Sequence, residues 1–384
     1  MLSEKSRGEC FSSMRSGLGG WVAIVFMACL MGCTSTGSEQ ADLTQDGIKY
    51  KTEIVATGLN VPWSIAFQKK DLYVTERPGH LKIFRNRGSS PVELRGVPKV
   101  YNHGEGGLMG LAFHPEFDST RLVYLSYTYS KEGDVGNRVT RYRLSNDSLT
   151  MGKVIVDDLP GAGVHNGCRI RFGPDKKLYV TTGDAAQRDL AQSLESLGGK
   201  TLRLNDDGSI PADNPVKKSA VYSIGHRNAQ GLDWNPKTNH LFQSEHGPSG
   251  FDGPGGGDEI NIVLAGKNYG WPLIHHQQIE TGLESPIAEF TPAVAPSGAC
   301  FAKMAGTFYG DFFVATLRGR HILRVRLDGD EVRGSERILE NVFGRIRDVT
   351  QGPDGALYFC TSNRDGRGSP NSDDDRIVRI VVIP

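Results

Sequence analysis

Short runs in which apolar and polar residues alternate recur along the chain, and alternation of this kind marks strands with one buried face per side. The runs fall into a loose unit: an apolar strand, a turn often bearing Pro, a strand of the LYVT type, a polar loop and an outer strand. The unit appears at 64–84 (SIAFQKKDLYVTERPGHLKIF), and at 110–129 with RVTRYRL at 138–144. It returns at 169–184 with 200–205, at 231–247 with 258–263, at 307–327, and at 348–363 with 375–380. A repeat of several strands every 40–60 residues or so indicates propeller blades, and a lone blade cannot bury both faces, so the blades must close into a ring. The pattern predicts an all-β, six-bladed β-propeller over 47–384, with IKYKTEIVA (48–56) pairing with the last blade. The competing architecture has a seventh blade hidden in the poorly patterned stretch 264–300. Helical spacing is scarce; its best example is LAQSLESLG at 190–198.

Composition supports many tight turns: the chain holds 48 glycines and 19 prolines without a collagen period. Lys+Arg and Asp+Glu number 44 each, so no net field draws the protein to nucleic acid or to an anionic membrane. At the N-terminus, Lys5, Arg7 and Arg15 precede the apolar run WVAIVFMACL, which is too short to span a bilayer. The run ends in Leu30-Met31-Gly32-Cys33, which resembles a bacterial lipoprotein box with Cys33 as the lipidated residue. Residues 1–33 are therefore expected to direct export, and 34–46 to form a polar tether. The expected location is the periplasm, as an outer-membrane lipoprotein that touches the membrane only through its lipid. An ordinary cleaved signal peptide is the alternative. Cys168, Cys300 and Cys360 remain in the mature chain, so at most one internal disulfide is possible. No spacing suggests structural zinc.

Candidate chemistry gathers where strands begin or end, as it does at the mouth of a propeller. His165 precedes one strand and Asp184 follows the next, so adjacent strands of one blade could bring imidazole and carboxylate together as a base and its support. A histidine bonding a turn would show the same spacing. Arg227 and Asn228, in GHRNAQG, offer a planar fork and an amide; pairing of Arg227 with a neighbouring blade's acid is the plainer reading. Gly247-Pro248, followed by Asp252, Asp258 and Glu259 in a glycine-rich loop, is backbone of the kind calcium uses, or else a solvated acidic loop. Arg318 with Arg320, and Arg345 with Arg347, stand two apart and could aim together. Four converging guanidinium groups would need a polyanionic partner. Solvated pairs balanced by acids such as Asp348 are the alternative.

These motifs resemble the soluble quinoprotein glucose/sorbosone dehydrogenase family, most closely its bacterial aldose sugar dehydrogenases. The resemblance runs from about residue 50 to the C-terminus. GEGGLMGLAFHPEF, HNGCRIRFGPD, LRLNDDGSIPADNP, GHRNAQGL, DEINIVLAGKNYGWP, PAVAPSG and RIRDVTQGPDG stand in family order. It implies a six-bladed propeller binding pyrroloquinoline quinone (PQQ) and calcium at its mouth. It implies oxidation of the C1 hydroxyl of aldoses to lactones, with an external electron acceptor. It assigns His165 as base, Asp184 as its support, and Arg227 and Asn228 to the quinone carbonyl region. Arg345 and Arg347, with Arg318 in place of a Lys, go to the cofactor's carboxylates. The resemblance places Gly247 and Pro248 at the turn whose backbone carbonyls hold the cofactor's calcium, and Glu259 and Tyr269 at further calcium ligands. Glu105 stands where the glucose enzyme has Gln against the cofactor, so a second carboxylate there must be protonated or neutralised. Thr291 replaces a Trp that walls the glucose site, and the segment before PAVAPSG is shorter, which implies an open pocket and a broad aldose range. Two other classes fit parts of the pattern: a calcium-dependent propeller lactonase without a redox cofactor, and a non-catalytic surface binding module. A small neutral lactone would give the arginine pairs nothing to bind.

Overall fold

The structure is a computed structural model and describes residues 42–86 and 88–383; the export segment, Cys10, Cys29 and Cys33 lie outside the described residues. Six antiparallel sheets follow one another along the chain. One edge strand of each sheet faces its counterparts around the ring, and these inner strands are neighbours: Pro62–Gln68, Leu108–Phe113, Gly167–Phe172, Ala229–Trp234, Pro296–Phe301 and Ile346–Gln351. The last sheet continues with Lys49–Ala56, which pairs antiparallel with Ile377–Val382 as the early strand pattern predicts, and ends in Asp42–Leu43, so 42–46 belong to the fold and not to the expected tether.

Packing follows the alternation. One hydrophobic cluster fills each of the six seams between blades. Phe242, Phe301 and Phe312, for example, sit between the fourth and fifth blades, and Val74, Leu72 and Cys360 between the first and the last. Burying one such side chain is worth about 1.5–3 kcal/mol, so closing the ring is what makes each sheet's second face stable.

The stretch 264–300 holds no seventh blade. It supplies only the short outer strand Ala288–Phe290 of the fourth blade and then enters the fifth. Of the segment with helical spacing, 190–198, only the first two residues are helical, at the end of the 3-10 turn Arg188–Ala191. Cys168, Cys300 and Cys360 are buried free thiols, so none forms a disulfide. No helix among the described residues is long and apolar enough to cross a membrane.

Candidate active site

His165 and Asp184 meet as the spacing allows. His165 lies just before Gly167–Phe172, and Asp184 just after Leu178–Thr182. Nδ1 of His165 is 2.7 Å from Asp184 Oδ1. The contact requires a glycine at 183, because a side chain there would run into the His165 carbonyl at 1.8 Å. Asp184 is itself fixed: Oδ1 accepts the Ala186 N–H at 2.8 Å and Oδ2 accepts the Trp271 indole N–H at 2.9 Å. Both groups are buried. Nδ1 is thereby held as the donor, which leaves Nε2 of a neutral ring as an acceptor.

His165 lines a cavity of about 860 Å³, part of it open to solvent, at the end of the ring where these strand ends converge. Five arginines line it too: Arg227, Arg318, Arg345, Arg347 and Arg367. Against them stand the carboxylates of Glu105 and Asp258. Asp258 is turned to the backbone, accepting the N–H groups of Gly247, Val294 and Ala295 at 2.6–2.8 Å. Arg345 and Arg347 share Asp365, with Arg345 at 2.8 Å and Arg347 at 3.9 Å. Arg347 Nη1 donates to Gln230 at 2.7 Å, while its buried Nε has no partner. Burial pulls the Arg347 guanidinium down to about 10, with Asp365 opposing and the neighbouring arginines adding to the fall. Arg227 is engaged by Asp252 at 2.7 Å, Ser249 at 3.0 Å and the His246 carbonyl at 3.4 Å. These use three of its five N–H groups and leave two for a ligand.

Glu105 is neutralised by a partner that the sequence did not single out. Its Oε1 accepts from Arg367 at 2.7 Å, and Oε2 accepts the backbone N–H of His165 at 3.1 Å. Burial works against its ionisation, but Arg367, His246 and His165 together bring the carboxyl down to about 2. His246, also on the cavity wall, is held neutral: burial, Arg227 and Arg347 take it down to about 3, although Glu105 pulls the other way.

Several expectations need correction. Arg318 reaches the cavity but Arg320 does not line it. The strand Phe312–Thr316 ends before both, so two-residue alternation no longer applies to them. Asp348 balances Arg169 at 3.0 Å rather than the Arg345–Arg347 pair. Glu259 and Tyr269 are not on the cavity wall. The Tyr269 hydroxyl donates to the Ile262 carbonyl and accepts the Leu264 N–H. Burial and the adjacent Glu245 push the Glu259 carboxyl up to about 8. Thr291 is also off the wall; it accepts the Gly257 N–H at 2.8 Å and donates to Glu289.

The arginines fit the implied quinone cofactor, while half of the implied calcium set, Glu259 and Tyr269, lies off the cavity wall. Five cationic side chains around one cavity, one with an orphaned buried N–H, match a planar polycarboxylate. Among the described residues, no cluster of three or more His, Cys, Asp or Glu side chains could hold a metal ion. A cation at this mouth would therefore rest on backbone carbonyls, and Gly247 and Pro248 both line the cavity. A side chain at 247 would strike the carbonyls of Gly256 and Gly257 within 2.3 Å, so glycine is required for this loop to close.

A six-bladed ring with a carboxylate-backed imidazole in a cationic mouth defines a class, and comparison with known proteins gives the family. The model of the Glucose / Sorbosone dehydrogenase family matches residues 59–378, and the chain belongs to that family of sugar-oxidising enzymes. It is 35% identical over 341 residues to the aldose sugar dehydrogenase YliI of Escherichia coli, covering 82% of this chain and 90% of that protein. It is 32% identical over 267 residues to quinoprotein glucose dehydrogenase B of Acinetobacter calcoaceticus, covering 61% of this chain and 54% of that one. The PQQ-bound aldose sugar dehydrogenase of Streptomyces coelicolor superposes with a TM-score of 0.79 at 36% identity, covering 88% of this chain and 99% of that one.

Proposed function

We propose that this protein is a PQQ- and calcium-dependent dehydrogenase that oxidises the C1 hydroxyl of a broad range of aldoses to lactones. The observation that carries the reading is the meeting, in one cavity, of the His165–Asp184 pair and the five arginines. PQQ, when bound, supplies the acceptor for the hydride that leaves C1. His165 Nε2 takes the proton from the C1 hydroxyl, and Asp184 stabilises the imidazolium that results; general-base help of this kind is worth about 10²–10⁴-fold. Arg345, Arg347 and Arg318 hold carboxylates, and Arg347 does so with its unpaired N–H. Arg227 offers its two remaining N–H groups to negative charge growing on an oxygen beside His165. Asn228 presents its amide at the same wall, its oxygen held by the Gly167 N–H at 3.1 Å. The Gly247 and Pro248 carbonyls are the calcium seat. Glu105, ionised and paired with Arg367, adds little net charge there and steadies the His165 backbone.

Export as a periplasmic lipoprotein and electron delivery to an external acceptor belong to the same proposal. A lactonase would leave the arginines without an anion. The test is dye-linked aldose oxidation by apoprotein before and after addition of PQQ and calcium, then after chelation. Activity is expected only with both present, and full activity in quinone-free protein would overturn the reading.

A further inference from the structure

Phe251 is a large apolar side chain left 68% exposed, and its place rather than its exposure sets it apart. It sits in the loop Ser249-Gly250-Phe251-Asp252, and this loop is pinned to the mouth. Asp252 Oδ2 accepts from Arg227 Nε at 2.7 Å, Ser249 Oγ accepts from Arg227 Nη2 at 3.0 Å, and Asp252 Oδ1 accepts the Ser249 N–H at 2.9 Å. The pinning sets the Phe251 ring nearly parallel to the His165 ring, with centroids 5.9 Å apart and planes inclined by 25°. The same ring lies 6.0 Å from the Arg227 guanidinium. Thus an aromatic surface stands beside the two groups that act at C1, although Thr291 supplies none.

Resting on the proposed aldose oxidation, we infer that Phe251 is the specificity-determining platform of the site, recognising the ring form of the sugar. A pyranose carries rigid, axial C–H bonds on one face, and an aromatic ring is the partner such a face selects. Phe251 does not itself line the cavity, but its ring centre stands 5.9 Å from the imidazole, so a sugar whose C1 hydroxyl meets His165 comes up beside it. Because the contact is at the C1 end, it favours every aldopyranose and does not choose between hexose and pentose. Linear polyols lack the rigid face and gain nothing from it.

The experiment uses protein reconstituted with PQQ and calcium, comparing the parent with Phe251→Ala, Phe251→Leu and Phe251→Trp. Phe251 lies outside the core, so truncation leaves the fold intact. The Ala and Leu variants should raise KM for glucose and xylose alike by about tenfold, with kcat within twofold of the parent. Phe251→Trp should restore the parental KM. A fall in kcat at constant KM would make Phe251 a support for His165. A rise in KM for the dye alone would make it a contact for the electron acceptor. Either result, or no change, overturns the inference. Saturation-transfer NMR with anhydroglucitol, which lacks the anomeric hydroxyl, reads the same contact without turnover. Loss of transfer in Phe251→Ala supports the platform even if no aldose is oxidised, and retention of transfer refutes it even if the dehydrogenase reading stands.

Discussion

Two histidines in this propeller are built almost alike. His165 is bonded to Asp184 at 2.7 Å and His226 to Glu245 at 2.8 Å, and both rings are buried. They differ in what meets the other nitrogen. Nε2 of His226 is 2.8 Å from the Ser223 hydroxyl, and its ring stacks on Tyr269 with centroids 4.8 Å apart. Nε2 of His165 has no hydrogen-bond partner among the described residues, and its ring borders the cavity. A carboxylate beside an imidazole is thus a common way to fix a tautomer; what separates a base from a brace is whether the far nitrogen is left open to a ligand.

The sharpest way to break this comparison is to truncate both rings. His165→Ala should lower turnover by about 10²–10⁴-fold while PQQ affinity stays nearly intact. His226→Ala should leave turnover of the folded fraction within about tenfold, and equal losses in the two would end the distinction. The stability order should be reversed. Removing His226 takes one hydrogen bond from the buried Glu245 carboxylate, which keeps the Arg227 N–H and the Gln243 amide, a loss of about 1.5–3 kcal/mol, to be read from denaturant midpoints. The cost at His165 is smaller because its ring faces the cavity. Next comes Arg347→Ala, which removes charge-assisted hydrogen bonds worth about 1.5–3 kcal/mol and should weaken PQQ binding roughly tenfold to a hundredfold in equilibrium titration. Comparable weakening in His165→Ala would merge base and clamp. The last test, Glu105→Gln, reads a pH dependence. The carboxyl lies near 2 in the fold against an ordinary 4.5, so its contribution is full above 4.5 and is lost as pH falls from 4.5 towards 2. Thermal midpoints of parent and variant should converge across that window; parallel curves would show that Arg367 does not hold Glu105 ionised.

The six blades were legible because a half-buried strand must alternate, and the ring followed because a lone blade has a bare face. The outer strands Val221–Ile224 and Ala288–Phe290 were not recognised, since short edge strands bury too little to leave a pattern. His165, Asp184, Arg345 and Arg347 could be found because each lies within two residues of a strand end. Arg367 and Phe251 could not: they come from loops whose approach depends on ring closure, and a glycine-rich run such as Ser249–Gly257 carries no periodicity. His246, one residue past Leu241–Glu245, stands where the strand-end rule applies but was not singled out. Asp348 was misassigned for a similar reason. Its partner Arg169 comes from another blade across the channel, a neighbour that only the closed ring supplies.

The strand Lys49–Ala56, bonded to Ile377–Val382, has a consequence for how the molecule is made. Arg379 and Glu53 form an ion pair across a separation of 326 residues, so the last blade cannot assemble until Ile377–Val382 has been synthesised. Until then the unpaired edge of Lys49–Ala56 and the bare face of the first blade are open to foreign strands. Contacts this distant in sequence form slowly. The join between the two ends of the chain is therefore the step at which a growing polypeptide is most open to aggregation, and the step after which it is safe.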